Sequence, residues 1–99
     1  MAEHPLNIIN KIDPEFFDHI TSTNKFVFSE GAIPRKYKLL MALAFDAAHG
    51  AYQGVKVLAQ QASQAGATKE EIMESIRVAY FLSGVGSTYT ASHALSEIF

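Results

Sequence analysis

The chain has no cysteine and no tryptophan among its 99 residues, and only 18% of it is charged. Without cysteine there is no disulfide, no thiolate-liganded zinc or iron–sulfur centre, and no thiol-based redox chemistry. Positive charge is also scarce. Eight Lys plus Arg stand against ten Asp plus Glu, a net charge of -2, which argues against a nucleic-acid binder, since that needs a basic stripe to replace phosphate counterions. No stretch approaches the roughly 18 uninterrupted apolar residues of a membrane span. Met1 to Asn10 lacks the basic start and apolar run of a signal peptide. The expectation is a soluble cytoplasmic protein with neither nucleic acid nor membrane as partner.

What is present is apolar: 48% of the chain is hydrophobic and 11% aromatic. This suits one domain over residues 1–99. At this length a globular chain hides only about 60 to 70% of the surface its unfolded form exposes, so the core is thin and association with other copies would strengthen it.

The apolar residues recur at helical spacing. Asp13-Pro14-Glu15 combines an N-cap acid, a proline at the first helical position and an acid in the first turn. A helix is predicted from there to about Asn24, with Ile12 and Phe17 as a hydrophobic staple and a short helical turn before it over residues 5–12. Gly31 and Pro34 mark a connection. From Arg35 to about His49 a second helix is apolar all round between Leu39 and Ala48 except for Asp46, so it should be buried on most sides, in the core or against another subunit.

Gly50 punctuates that helix, and a third, from about Ala51 to Ala65, carries Tyr52, Val55, Leu58, Ala59 and Ala62 on one face. Gly66 suits a left-handed C-cap, and Thr68-Lys69-Glu70-Glu71 is a capping box. The next helix, about 69 to 83, puts Ile72, Met73, Ile76, Ala79 and Tyr80 on one stripe. Gly84-Val85-Gly86 ends it as a tight turn. It lacks the third glycine and the preceding strand of a dinucleotide loop. A last helix to about Ile98 is rich in small residues, with Val85, Tyr89, Leu95 and Ile98 as larger anchors. No strand alternation occurs, so the fold class is all-α, with about five to six helices.

Few constellations carry chemistry. Asp46 precedes His49 by one turn in an otherwise apolar helix, and a carboxylate in such surroundings needs a partner, which His49, Tyr52 or another subunit would supply. His93 follows Tyr89 by four residues and shares its helix face. His4 and His19 have no constellation and read as surface residues. No His, Asp or Glu pair has strong metal-ligand spacing, so neither a metal nor a cofactor is expected. Arg35, Lys36 and Lys38 open the second helix as a solvated face, with anion binding at that helix N-terminus as the alternative.

Ile33-Pro34-Arg35-Lys36-Tyr37-Lys38-Leu39-Leu40-Met41-Ala42-Leu43-Ala44, then His49-Gly50, then the string from Ala65-Gly66-Ala67-Thr68-Lys69-Glu70-Glu71-Ile72 to Tyr80 resemble the carboxymuconolactone decarboxylase family, which includes the alkylhydroperoxidase D-like proteins. The resemblance implies an all-helical fold assembled as a homo-oligomer, often a trimer or hexamer. Redox members carry a Glu, then Cys-x-x-Cys, then a His. Aligned without gaps from Gly66-Ala67-Thr68, these fall on Leu39, on Ala51 and Gly54, and on Leu58. None of these side chains supplies a thiolate, a resolving thiol or a proton relay.

Two readings follow. In one, the chain keeps a small pocket near the former active-site turn, with Asp46 and His49 as acid–base residues. Tyr52, Tyr89 and His93 then bind a small organic acid, and the chemistry is cofactor-free and decarboxylase-like. In the other it is a non-catalytic helical module for oligomerisation or partner binding, its old site filled by packing residues such as Leu39 and Leu58.

Overall fold

The computed structural model describes residues 4–99; the first three residues of the segment scanned for a leader lie outside them. Six helices follow in order: α1 (Asn7–Ile12), α2 (Pro14–Val27), α3 (Arg35–Ala48), α4 (Tyr52–Gln64), α5 (Lys69–Ser83) and α6 (Gly86–Ser96). No strand occurs among the described residues.

The helix boundaries follow local chemistry. At α2, the Asp13 carboxylate accepts from the Phe16 N–H at 3.1 Å, and Pro14 occupies the first turn, where its missing N–H costs nothing. The helix runs one turn beyond Asn24. The anticipated staple does not bury Ile12, which is three-quarters exposed; the Phe17 ring meets the His4 ring edge-on, centroids 5.6 Å apart. At α5 the capping box is complete, with Glu71 N–H donating to Thr68 Oγ1 at 3.0 Å and Thr68 N–H donating to Glu71 Oε1 at 2.9 Å. Gly66 before it has φ +100°, a left-handed conformation that a side chain would strain.

The basic run opening α3 is tied up locally. Glu30 accepts from the Arg35 N–H at 3.2 Å, so a carboxylate of the chain already sits at that helix N-terminus. Lys38 donates to the Ser29 carbonyl at 2.8 Å, and Lys36 pairs with Glu71 at 3.2 Å, joining α3 to α5. These contacts occupy the helix N-terminus and two of the three cations, Lys36 and Lys38.

The core lies among α3, α4, α5 and α6, centred on Leu39, Leu43, Val55, Ala59, Ile72 and Ala94. α3 packs on α4 and α5, and α6 packs on the same two helices. α1 and α2 pack chiefly on each other and hold no buried residue; Phe28, just past α2, reaches the core's edge.

Three helical faces differ from expectation. Within one chain α3 buries only the stripe Leu39, Leu40, Leu43 and Ala47, while Met41 and Phe45 face outward. On α5, Met73 and Tyr80 are half-exposed rather than part of the buried stripe. On α6 the core-facing residues are Ser87, Ala91, Ala94 and Leu95, whereas Val85 and Tyr89 stand in solvent. The reason is close approach: α6 lies against two helices at once, and small side chains allow that where large anchors would hold it off.

Candidate functional site

α3 and α4 are joined by the tight turn at Gly50, closed by the Ala51 N–H donating to the Asp46 carbonyl at 2.8 Å. No side chain caps α4, so its first-turn N–H groups have no side-chain acceptor at the helix end. α6 abuts the same turn: a Cβ added at Gly50 would lie 4.0 Å from Thr90 Oγ1. The turn therefore gathers residues from three helices.

Asp46 is half-buried in the last turn of α3, and its carboxylate packs directly against Gly54 in the first turn of α4. A Cβ at position 54 would overlap Asp46 Oδ2 and Cγ, so only glycine fits there with the carboxylate in place. Burial pushes the Asp46 carboxyl above its ordinary range, opposed by the nearby His49. Neither His49 nor Tyr52 hydrogen-bonds to it. The His49 ring turns back on its own helix, with Nδ1 at 2.8 Å from the Phe45 carbonyl. That contact puts the proton of the neutral ring on Nδ1 and leaves Nε2 as an acceptor.

Tyr52 belongs to a second cluster, across α4 and α6. Its hydroxyl donates to Glu97 Oε1, and its ring stacks on His93 with centroids 4.3 Å apart and planes 24° apart. Lys56 holds the other Glu97 oxygen at 3.0 Å, and His93 Nε2 is 3.6 Å from Oε1. The Tyr52 hydrogen bond, then Lys56, holds the Glu97 carboxyl below its usual range, and Glu97 in turn raises both Tyr52 and Lys56. Sequence reasoning missed Glu97 and Lys56. The signal was available: Tyr52/Lys56 and His93/Glu97 are two (i, i+4) pairs on helices that come to face each other. Tyr89 sits one turn before His93 on that side of α6, with its ring 74% exposed.

Two apolar grooves lie elsewhere. The larger, about 750 Å³, runs between α5 and α6 along Met73, Ile76, Tyr80, Ala91, Leu95 and Phe99, away from the Tyr52 cluster. The smaller, about 230 Å³, lies between α3 and α5 beside Phe45 and Leu82. Among the described residues no group of three or more His, Cys, Asp or Glu is placed to hold a metal ion.

The sequence pattern of the Carboxymuconolactone decarboxylase family matches residues 14–97, which takes in α2 through α6. The chain belongs to that family. It is 30% identical over 93 residues to an uncharacterized protein of Methanocaldococcus jannaschii, covering 94% of this chain and 87% of that one. It also superposes on the crystal structure of an apo carboxymuconolactone decarboxylase family protein from Legionella pneumophila with a TM-score of 0.85. There the identity is 27%, over 92% of this chain and 81% of the other.

As a carboxymuconolactone decarboxylase family member without cysteine, the chain carries no thiol peroxidase chemistry of its own. Of the residues that the ungapped resemblance sets against the redox site, none is left as an open polar group. Leu39 is fully buried, Leu58 packs on the core's edge, Ala51 precedes the first turn of α4, and Gly54 yields its space to Asp46. No helix is long and apolar enough to cross a membrane among the described residues.

Proposed function

We propose that this chain is a cofactor-free acid–base protein of the family acting on a small organic acid, with Asp46 as the proton-carrying group in place of the thiol. The observation that carries this reading is the packing of the Asp46 carboxylate against Gly54. An ionisable group with a raised pKa fills the space of the second family cysteine. Decarboxylation breaks the bond to the departing CO2 and leaves the electron pair on carbon, which then takes a proton. Protonated Asp46 is the donor; His49 then takes a proton from solvent on its free Nε2 and passes it to the Asp46 carboxylate, so each turnover consumes one solvent proton. The uncapped α4 N-terminus favours the substrate carboxylate, while Tyr52, His93 and the exposed Tyr89 supply aromatic walls. The protein works in the cytoplasm as a homo-oligomer, a trimer or hexamer as the family resemblance implies.

The buried Leu39 and half-buried Leu58 favour a second reading, a helical assembly module with a filled site. One experiment separates the two: CO2 release from carboxymuconolactone, with NMR titration of small carboxylates, on the wild type and on Asp46→Asn. The first reading expects saturable shifts at His49, Tyr52 and His93, and turnover falling by about a hundredfold or more in the variant. An inert wild type with no saturable shift overturns it.

A further inference from the structure

The helical arm α1–α2 is out of proportion to the rest of the molecule. Its 14-residue helix α2 has no fully buried residue, although it carries a stripe at Phe16, half-buried Ile20, Thr23 and Val27 with Phe26 beside it. That is the i, i+4, i+7, i+11 spacing of a helix that docks into a groove. Phe16, Phe26 and Val27 are 51%, 80% and 47% exposed. The radius of gyration is 14.3 Å, against about 13 Å for a compact chain of this length. The accessible surface is 6854 Å², whereas a compact monomer of this mass exposes about 5,600 Å². The excess, about 1,200 Å², exceeds the roughly 800 Å² that each member of a stable complex buries.

We infer that the arm of one copy docks into the α5–α6 groove of a second copy. The groove is apolar along Met73, Ile76, Tyr80 and Leu95 and long enough to take several side chains, at about 750 Å³. The charges match. Arg77 lines the groove and makes no salt bridge among the described residues, and Lys69 lies over the Phe99 ring at the groove's end, 5.1 Å from its centroid. The arm brings Glu15, beside Phe16 at the flank of the stripe, which also lacks an ion pair among the described residues. Because the arm projects and the groove is on the four-helix body, each copy offers both halves of the contact. A two-fold pair or a closed ring then satisfies every arm. The α3–α5 face with Phe45 and Leu82 is the competing apolar surface, but its cavity is about 230 Å³ and no charged side chain lines it to meet the acidic start of the arm.

This inference rests on the self-association in the proposed function and not on its chemistry. The test uses the whole chain in sedimentation velocity, with Phe16→Asp/Phe26→Asp on the arm and Phe45→Asp/Leu82→Asp on the competing face. All four positions are exposed, so circular dichroism should show each variant as helical as the wild type. The arm variant should weaken association at least about a hundredfold, and the α3–α5 variant should leave it intact. The natural lack of cysteine supplies a second readout. A mixture of Phe26→Cys and Tyr80→Cys copies, oxidised together, should yield covalent heterodimers. A monomeric wild type overturns this inference and the assembly it rests on. An assembly that survives the arm substitutions, or a Phe26→Cys/Tyr80→Cys double variant that cross-links only within one chain, overturns the docking alone.

Discussion

The Asp46 carboxylate stands where any side chain at position 54 would have to stand, so these two residues, one on α3 and one on α4, are a coupled pair. Gly54 lies inside a helix, where glycine costs about 1 kcal/mol relative to alanine. Its presence is explained by what lies beside it.

Gly54→Ala should therefore destabilise the protein, by about 1 to 3 kcal/mol, because overlap with Asp46 outweighs the helix propensity gained. In an Asp46→Ala background the same change should turn stabilising, by about 0.5 to 1 kcal/mol. Urea unfolding of the four proteins of this cycle measures the coupling directly. Additive effects would show that the carboxylate readily moves aside.

Asp46 should also leave a pH signature. Its folded-state pKa is raised above the ordinary value of 3.8, chiefly by burial. The folded state then holds this proton more tightly than the unfolded chain does. Its stabilising contribution is fully present below that ordinary value and is lost as pH rises through the folded value. Asp46→Asn should accordingly gain stability relative to the wild type at neutral pH, with the difference shrinking on acidification. A difference that is flat with pH would contradict the assignment.

Glu97 should behave in the opposite sense. Its pKa is lowered, first by the Tyr52 hydroxyl and then by Lys56. The stability it adds is present above its ordinary value of 4.5 and is lost as pH falls through the folded value. Carboxyl-detected NMR titration should place Glu97 below that ordinary value. Tyr52→Phe should move it back up and leave the Glu71 titration unchanged. The His93 ring, stacked on Tyr52, should report the Tyr52 titration through its own shifts.

The start of α5 offers a cleaner stability test. Thr68→Ala removes the hydroxyl that accepts from Glu71 N–H and should cost about 1 kcal/mol. Glu71→Gln keeps the capping geometry and loses the Glu71 charge that pairs with Lys36 and faces the helix N-terminus, so it should cost less than Thr68→Ala, and less still at high salt. Denaturant midpoints in low and high salt distinguish the two.

Much of the helix layout was legible in the residues. Asp13-Pro14, Pro34, Gly66 and the Thr68/Glu71 box act within one turn of chain, so their effect needs no knowledge of the fold. The apolar periodicity of α4 was equally readable, and Val55, Ala59 and Ala62 are buried as the spacing requires. The faces of α3 and α6 were harder. Periodicity tells which residues share a stripe, and it does not tell which neighbour covers that stripe, so Phe45 and Tyr89 are apolar and yet exposed.

The candidate site divides the same way. Tyr52, His93, Asp46 and His49 could be picked out as unusual polar or aromatic residues near a turn. The choice of partners is a matter of the α4–α6 crossing: it gave Tyr52 to Glu97 and left His49 on its own helix carbonyl. By itself the sequence determined the helices, their ends and the absence of any thiol, because these depend on local hydrogen bonding and on which atoms are present. Only the tertiary structure decided that Gly54 makes room for Asp46, that Glu97 joins the Tyr52 cluster, and that α2 is left without a groove of its own. These depend on distances between residues far apart in the chain, which are set by how four helices pack and not by any one of them.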